Sequence, residues 1–357
     1  MTSINADNRD LSFICLKERL SKEGSTMTVD LRGRSVLTLD DLTAEEIHYL
    51  LRLVVDLKGE KRTGTELKQL STKNVVLFCE RDSIHARAAF EVAAYDQGAN
   101  VTLIGPSTGH TRYRESVKDT ARFLGRLYDA IGYIGHSQST VEEVAKWAHV
   151  PVLNGMTDTS HPTQTLADLV TMQECSDKPL DDMIVAFLGD GRSNVARSLA
   201  LASSKLGIDL RIVSPPIFWP EAPFIECVTS AARDSGGRVT VLEHVGTGIL
   251  GADFICTAPW FGEGDVRWAE RVRQLAPFAV RENVMEATDN PQTKLMHSLP
   301  AWHWREDEAG ARIAKRFGVE CMEVCDGVFE SKSSIVFDQA ENRMPAIKAL
   351  LVATLAD

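Results

Sequence analysis

Runs of apolar residues of strand length alternate along the chain with segments of helical period, separated by short polar stretches. Asn74–Cys79 reads as a buried strand and is followed by a polar segment, Glu80 to Arg87, then a helix through Ala88–Tyr95 and a second strand at Asn100–Ile104. Strand, polar loop, helix and strand form a βαβ unit, which predicts a parallel sheet with right-handed crossovers. The pattern continues with a helix over 116–127, a strand near 130–133, a helix near 141–148 and a strand over 150–153. The helix over 163–173 is expected to bridge to a second half. There the alternation restarts with a strand at 183–188, a helix at 194–206 and strands at 210–213, 239–242, 253–256 and 294–297. A last helix, from about 339 to 355, is placed to cross back to the first half. Ahead of the first strand, Thr43 and Glu46 form a capping box that starts a helix running through Leu57.

The fold class read from this is α/β, two doubly wound parallel-sheet domains. Residues 1–34 read as an N-terminal extension, 35–165 as the first domain, completed by 339–357, and 166–338 as the second. The chain has 357 residues, long enough for two cores of ordinary size. A net charge of -11 argues against a nucleic-acid or anionic-membrane partner. No apolar run approaches the roughly 20 residues of a membrane span, and no secretory signal opens the sequence. The seven cysteines are scattered and odd in number, so a reducing cytoplasmic setting is expected. Cys321 and Cys325 have no second Cys/His pair at zinc spacing, so no metal site is assigned.

Ligands of such sheets gather past the carboxyl ends of strands, and three polar segments sit there. The first, Glu80–Glu91, opens a helix whose backbone N–H groups and dipole favour an anion. In it Ser83 offers a hydroxyl and Arg87 a bidentate guanidinium; the plain alternative is a capped, solvated helix start. The second, Leu153–Gln164, carries Asn154, His161 before a helix-opening proline, and Gln164. A neutral His161 can stabilise developing negative charge on a carbonyl oxygen; the alternative is a helix cap. The third, Met296–His303, follows a strand and contains Ser298. It lacks the elbow of a serine hydrolase. Gly189–Asn194 lacks the third glycine of a dinucleotide site, so no nucleotide cofactor is read.

Together these segments resemble the ornithine carbamoyltransferase family over nearly the whole chain from about residue 35. Phe90–Ala99, Glu115–Arg122, His161–Asp168, Phe329–Ser331 and Val336–Met344 match in order. The resemblance implies a carbamoyl-phosphate domain, an amino-acid domain, and a homotrimer with sites at subunit borders. It further implies attack of an amine on carbamoyl phosphate, releasing phosphate, without metal or organic cofactor. Residues that keep the family pattern are Ser83, Arg87, Asn154, His161, Gln164, Asp190, Asn194, His297 and Arg343.

The departures lie at the two substrate motifs. The family's Ser-Thr-Arg-Thr-Arg is here Ser83-Ile84-His85-Ala86-Arg87, and the arginine of its Tyr-Arg-Gly is Ile134. Two lost charged partners correspond to about 3–6 kcal/mol of phosphate binding, so reduced affinity for a phosphate-bearing donor is expected. On the acceptor side the family's aspartate is Ala258 in a shortened loop, its His-Cys-Leu-Pro is His297-Ser298-Leu299-Pro300, and its Arg-Met-His is Arg343-Met344-Pro345. Glu263 and Asp265 in that loop are candidate partners for a cationic acceptor; the alternative is a solvated acidic loop. The resulting assignment places His161, Gln164, Arg87 and Arg343 at the reaction. Ser83, Ile84, His85, Ala86, Arg87 and Ile134 border the donor. Asn154, Asp190, Asn194, Glu263, His297, Ser298 and Leu299 border an amino-acid-like amine or guanidine. Three functions fit: a transferase with changed donor or acceptor, an ornithine carbamoyltransferase with a remodelled and inhibitor-resistant pocket, and a non-catalytic metabolite-binding paralogue.

Overall fold

The computed structural model describes residues 29–105, 115–260, 268–303, 318 and 321–356. They form two compact units. One takes the described chain through Asp177 together with Glu341 onward; the other takes Lys178–Ala340.

The first unit is built on a parallel sheet of β1 (Asn74–Cys79), β2 (Asn100–Ile104), β3 (Ala130–Ile134) and β4 (Val152–Met156), in the order β2-β1-β3-β4. The order reverses between β1 and β3, so the loops leaving these two strands part in opposite directions and open a crevice at their carboxyl ends. One face of the sheet packs Val76, Ile131 and Tyr133 against Leu124, Val141 and Val144 of the flanking helices. The first helix, Ala44–Thr63, starts with the expected Thr43–Glu46 capping box and ends at Gly64 in the left-handed region.

The second unit carries a five-stranded parallel sheet of β5 (Ile184–Leu188), β6 (Asp209–Val213), β7 (Arg238–Leu242), β8 (Phe254–Thr257) and β9 (Lys294–His297). Its order, β7-β6-β5-β8-β9, reverses between β5 and β8. Ala186, Leu188, Ile255 and Leu295 of the strands meet Phe278, Val280, Val328 and Phe329 in its core. Among the described residues no helix is long and apolar enough to cross a membrane.

Several expectations shift. The strand placed at 150–153 is Val152–Met156, because Asn154 donates its N–H to the Val36 carbonyl and extends the pairing past the polar position. Gly155 fits within that strand because the Phe90 ring would lie 2.9 Å from any Cβ there. The helix expected to bridge the halves is Pro162–Cys175, and it lies wholly in the first unit. Its residues through Gln173 are all buried, and Lys58 of the first helix holds Glu174 at 2.7 Å. The expected extension through residue 34 does not stay outside the fold: Leu31 is buried and the Gly33 N–H bonds the Thr354 carbonyl. Residues 1–28 of it lie outside the described residues. The helices Ala222–Asp234 and Trp268–Leu275 have no counterpart in the expected pattern. The signal for the first was Pro223 in its opening turn.

Candidate active site

In the first unit most of the candidate residues follow the ends of β1, β3 and β4. His161 precedes the helix Pro162–Cys175 but makes no capping bond with its side chain, which sets aside the bland capping role. Its ring is buried, with Nε2 3.4 Å from Arg343 Nη2 and Nδ1 3.4 Å from Thr163 Oγ1. Arg343 has no lone pair to offer. The Thr163 hydroxyl donates to the Gly155 carbonyl, leaving its own lone pairs toward the ring. Both neighbours therefore favour a neutral imidazole with its proton on Nδ1. Burial first, then the Arg343 and Arg81 charges, hold the His161 pKa well below the usual 6.5. Gln164 gives its amide N–H to Asp168 at 2.8 Å, while its buried Oε1 has no partner. Arg343 is buried with an unpaired Nε, and burial lowers its pKa to about 10 against the support of Asp168. Asn154, fully buried, donates to the Leu37 carbonyl at 2.8 Å and keeps an unpartnered Oδ1.

The segment after β1 is gathered less completely. Ser83 caps the helix Ile84–Asp96 by accepting the Ala86 N–H, and Ala86 is buried beneath it. Ile84 faces outward, and Arg87 lies along the helix with its Nε 3.1 Å from Glu91. The plain reading, a capped helix start with a surface ion pair, thus describes Ser83, Ile84 and Arg87 in this state. His85 is half-buried, and burial followed by the Arg343 charge lowers its pKa, so it contributes no full positive charge at neutral pH. Ile134 is buried and closes the end of β3 with an apolar wall.

The sequence assignment overlooked two residues here. Arg81, the second residue after β1, bonds Asp158 at 3.1 Å and keeps a buried Nε without a partner. Gln138 accepts the Thr157 hydroxyl at 2.8 Å and keeps a buried Nε2 without a partner. The available signal was position alone: Arg81 lies two residues after β1 and Gln138 opens the helix that follows β3, the two strands at the reversal of sheet order.

In the second unit, Asp190 after β5 is engaged on both oxygens, by Arg271 Nη2 at 2.6 Å and the Arg192 N–H at 2.8 Å. It is therefore already neutralised. Asn194 opens the helix Asn194–Leu206 behind the Ser193 cap. His297 gives its N–H to Gln339, and both ring nitrogens are buried without partners. Burial brings its pKa down to about 3, so the ring is neutral at physiological pH. Ser298 is buried and its N–H bonds the Thr257 carbonyl, while Leu299 packs on the core. Ala258 is buried. Glu263 and Asp265 lie outside the described residues.

Trp260 sits in a built clamp. Glu323 accepts its N–H at 2.9 Å, Arg271 donates to its carbonyl at 2.8 Å, and its buried indole Nε1 is unpartnered. The indole rests over Gly189, whose φ of +132° admits no ordinary side chain and whose Cβ would come within 3.3 Å of Nε1. The buried Thr257 hydroxyl nearby also has no partner. Glu323 holds the Trp302 N–H with its other oxygen at 3.2 Å, and burial raises its pKa to about 7.

This gives a pH prediction. The unfolded carboxyl titrates near 4.5 and the folded one near 7, so the folded state holds the proton more tightly. Glu323 thus favours folding below pH 4.5, and its contribution is lost as pH rises through 7, by on the order of 3 kcal/mol. Urea unfolding at pH 5 and pH 8 should show this difference in the wild type and not in Glu323→Gln; equal pH dependence in both would rule the titration out.

Among the described residues one group has metal-ligand spacing, His303, Asp326 and Glu330, with ligand atoms within 4.8 Å of one another. His303 already bonds Asp326 at 2.9 Å and stacks on Phe329.

The model of the carbamoyl-P binding domain of aspartate/ornithine carbamoyltransferase matches residues 34–174, and that of the Asp/Orn binding domain matches 181–354. The chain belongs to the aspartate/ornithine carbamoyltransferase family. It is a transferase of the carbamoyltransferase type. The chain is 49% identical over 335 residues to the catabolic ornithine carbamoyltransferase of Pseudomonas putida, covering 93% of this chain and 100% of that one. The ornithine carbamoyltransferase of Pyrococcus furiosus superposes with a TM-score of 0.83 at 34% identity, covering 92% of this chain and 99% of that one. That of Gloeobacter violaceus gives 0.77 at 29% identity, covering 92% and 100%.

Proposed function

We propose that the chain transfers a carbamoyl or closely related planar group from a phosphate-bearing donor to an amino-acid-like amine or guanidine other than ornithine. The observation that carries the transfer reading is the buried His161–Gln164–Arg343 centre, with an unpaired acceptor on Gln164 and an unpaired donor on Arg343. A carbamoyl group offers the complement, a carbonyl oxygen and an NH₂. Its oxygen would accept from Arg343, and from His161 once Arg343 turns from the ring to the ligand and the imidazole proton moves from Nδ1 to Nε2, and its NH₂ would donate to Gln164 Oε1. As the acceptor nitrogen attacks the carbonyl carbon, charge growing on that oxygen meets donors fixed in advance. The tetrahedral carbon then collapses with cleavage of the bond to the phosphate oxygen, and the acceptor nitrogen gives up its proton to the departing phosphate.

The altered acceptor is supported by charge. Ala258 stands where the family resemblance places an acid, and Asp190 is tied to Arg271. Among the described residues the unpartnered groups there are neutral, the Thr257 hydroxyl, the Trp260 indole and the His297 ring, and Glu323 is engaged by the N–H groups of Trp260 and Trp302. Such a cluster offers no free carboxylate, among the described residues, for the α-ammonium that the family's aspartate would hold. A second reading is citrulline formation by a remodelled ornithine carbamoyltransferase, favoured by the identity to the Pseudomonas putida enzyme. On family grounds the protein is read as a cytoplasmic homotrimer. A melting-point screen tests the proposal, since a ligand that binds only the folded form raises the midpoint. Carbamoyl phosphate should stabilise, and an amine or guanidine other than ornithine should add to it; additivity from ornithine alone would favour the second reading.

A further inference from the structure

We propose that Arg81, assisted by the Gln138 carboxamide, forms the anion subsite used by the first unit in place of the arginines absent at His85 and Ile134. This rests on the reading above that the donor bears a phosphate.

Placement is the first ground. The Glu80 N–H bonds the Ile134 carbonyl at 2.8 Å, so Arg81 leaves the sheet beside the apolar end of β3, at the reversal of sheet order. A guanidinium enters from β1 next to the position where one is missing from β3. The loop after β4 then joins the two proposed groups. Thr157 holds Gln138 and the next residue, Asp158, holds Arg81. The Thr157 hydroxyl donates to Gln138 Oε1 at 2.8 Å, nearer than the Ser160 carbonyl at 3.3 Å, which turns the NH₂ of Gln138 away from Thr157.

Hydrogen-bond accounting is the second ground. Arg81 Nε, Gln138 Nε2 and Arg343 Nε are buried donors without acceptors. Buried donors in this state are costly, more so on a charged group, and Arg81 Nε with Gln138 Nε2, joined through the Thr157–Asp158 loop, form a deficit that an oxyanion relieves. The carboxylates near them are accounted for. Glu80 takes the Tyr133 hydroxyl at 2.5 Å, and Asp168 takes the Gln164 amide. Asp158, which pairs with Arg81 and lies 3.8 Å from His136, is more than half exposed. Arg81 also acts electrostatically on His161, which places its charge within reach of the reacting centre.

The competing role for Arg81 is structural, a salt bridge that holds the loop of Asp158. Two substitutions separate the roles by the sign of their effect. Titration calorimetry with inorganic phosphate, and with carbamoyl phosphate, compares the wild type with Arg81→Gln, Arg81→Lys and Asp158→Asn. A direct anion contact predicts that Arg81→Gln weakens both ligands by roughly ten- to a hundredfold. Arg81→Lys recovers part of that loss. Asp158→Asn binds as tightly as the wild type or tighter, because it removes a carboxylate that competes for the guanidinium. Equal weakening by Arg81→Gln and Asp158→Asn would show a salt bridge instead and overturn the proposal, as would unchanged binding by Arg81→Gln. If the wild type bound neither ligand, the phosphate-bearing donor itself would fall, and this subsite with it.

Discussion

Replacing His161 with alanine lowers the rate of carbamoyl transfer by roughly two to three orders of magnitude, the usual scale for removing a fixed donor to a developing oxyanion. The loss should fall on kcat rather than on donor KM, because the imidazole is worth most when the carbonyl oxygen becomes an alkoxide. The ring suits this work because it is neutral: burial and two nearby guanidinium groups keep it unprotonated through the physiological range. The rate should therefore show no loss attributable to His161 protonation between pH 6 and 8. Single-turnover kinetics at saturating donor would read the effect, with the unfolding midpoint as a control for folding. A decrease smaller than about threefold would remove His161 from the chemistry.

A second large effect is expected outside the candidate site, further along the helix that carries Arg343. Lys348 is fully buried in the C-terminal helix and holds Glu66 and, at 2.7 Å, Asp96; Lys61 also bonds Asp96, and Gln97 donates to Glu66 at 2.8 Å. Burial works against the Asp96 charge, but hydrogen bonds from Lys348 and Lys61 prevail and hold its pKa below the ordinary value. Lys348→Met keeps the length of the stem and removes the charge, leaving two mostly buried carboxylates short of a cation. Breaking a buried network in this way costs about 3–5 kcal/mol, a large share of the 5–15 kcal/mol typical of a domain. Because the folded Asp96 pKa is depressed, its contribution is present above the unfolded value of 3.8 and is lost as pH falls through the folded one. Denaturant unfolding at neutral pH checks the substitution, and a change under 1 kcal/mol would mean that desolvation cancels the pairing.

Much of the architecture was legible because its signals are local. Strands β1 and β5 are short, mostly apolar runs, and Thr43 with Glu46 marks a helix start by residue type and spacing. The edge of β4 was not, because Asn154 and Gly155 look like loop residues until the Val36 carbonyl and the Phe90 ring are in place. In the site, His161 and Gln164 stood out because proline and glutamine follow the histidine in one turn. Arg81 did not, since its meaning depends on Ile134, Gln138 and Asp158, which the sheet brings to it from three other segments. The same holds for Asp190, which read as open to a ligand until Arg271, distant in sequence, closed on it. Residues that act through local geometry can be read in one pass, whereas those that act through pairing need the fold.

The central claim is transfer from a phosphate-bearing donor to an acceptor other than ornithine, and steady-state turnover of the purified protein addresses it directly. Carbamoyl phosphate would be supplied with ornithine or with each of a panel of amino-acid-like amines and guanidines, following phosphate release and carbamoylated product together. The account predicts acceptor-dependent release with a member of the panel, and citrulline formation more than about tenfold below that of ordinary ornithine carbamoyltransferases. Citrulline formation at the ordinary rate would contradict the altered acceptor, and no acceptor-dependent release with any amine would contradict the transfer itself.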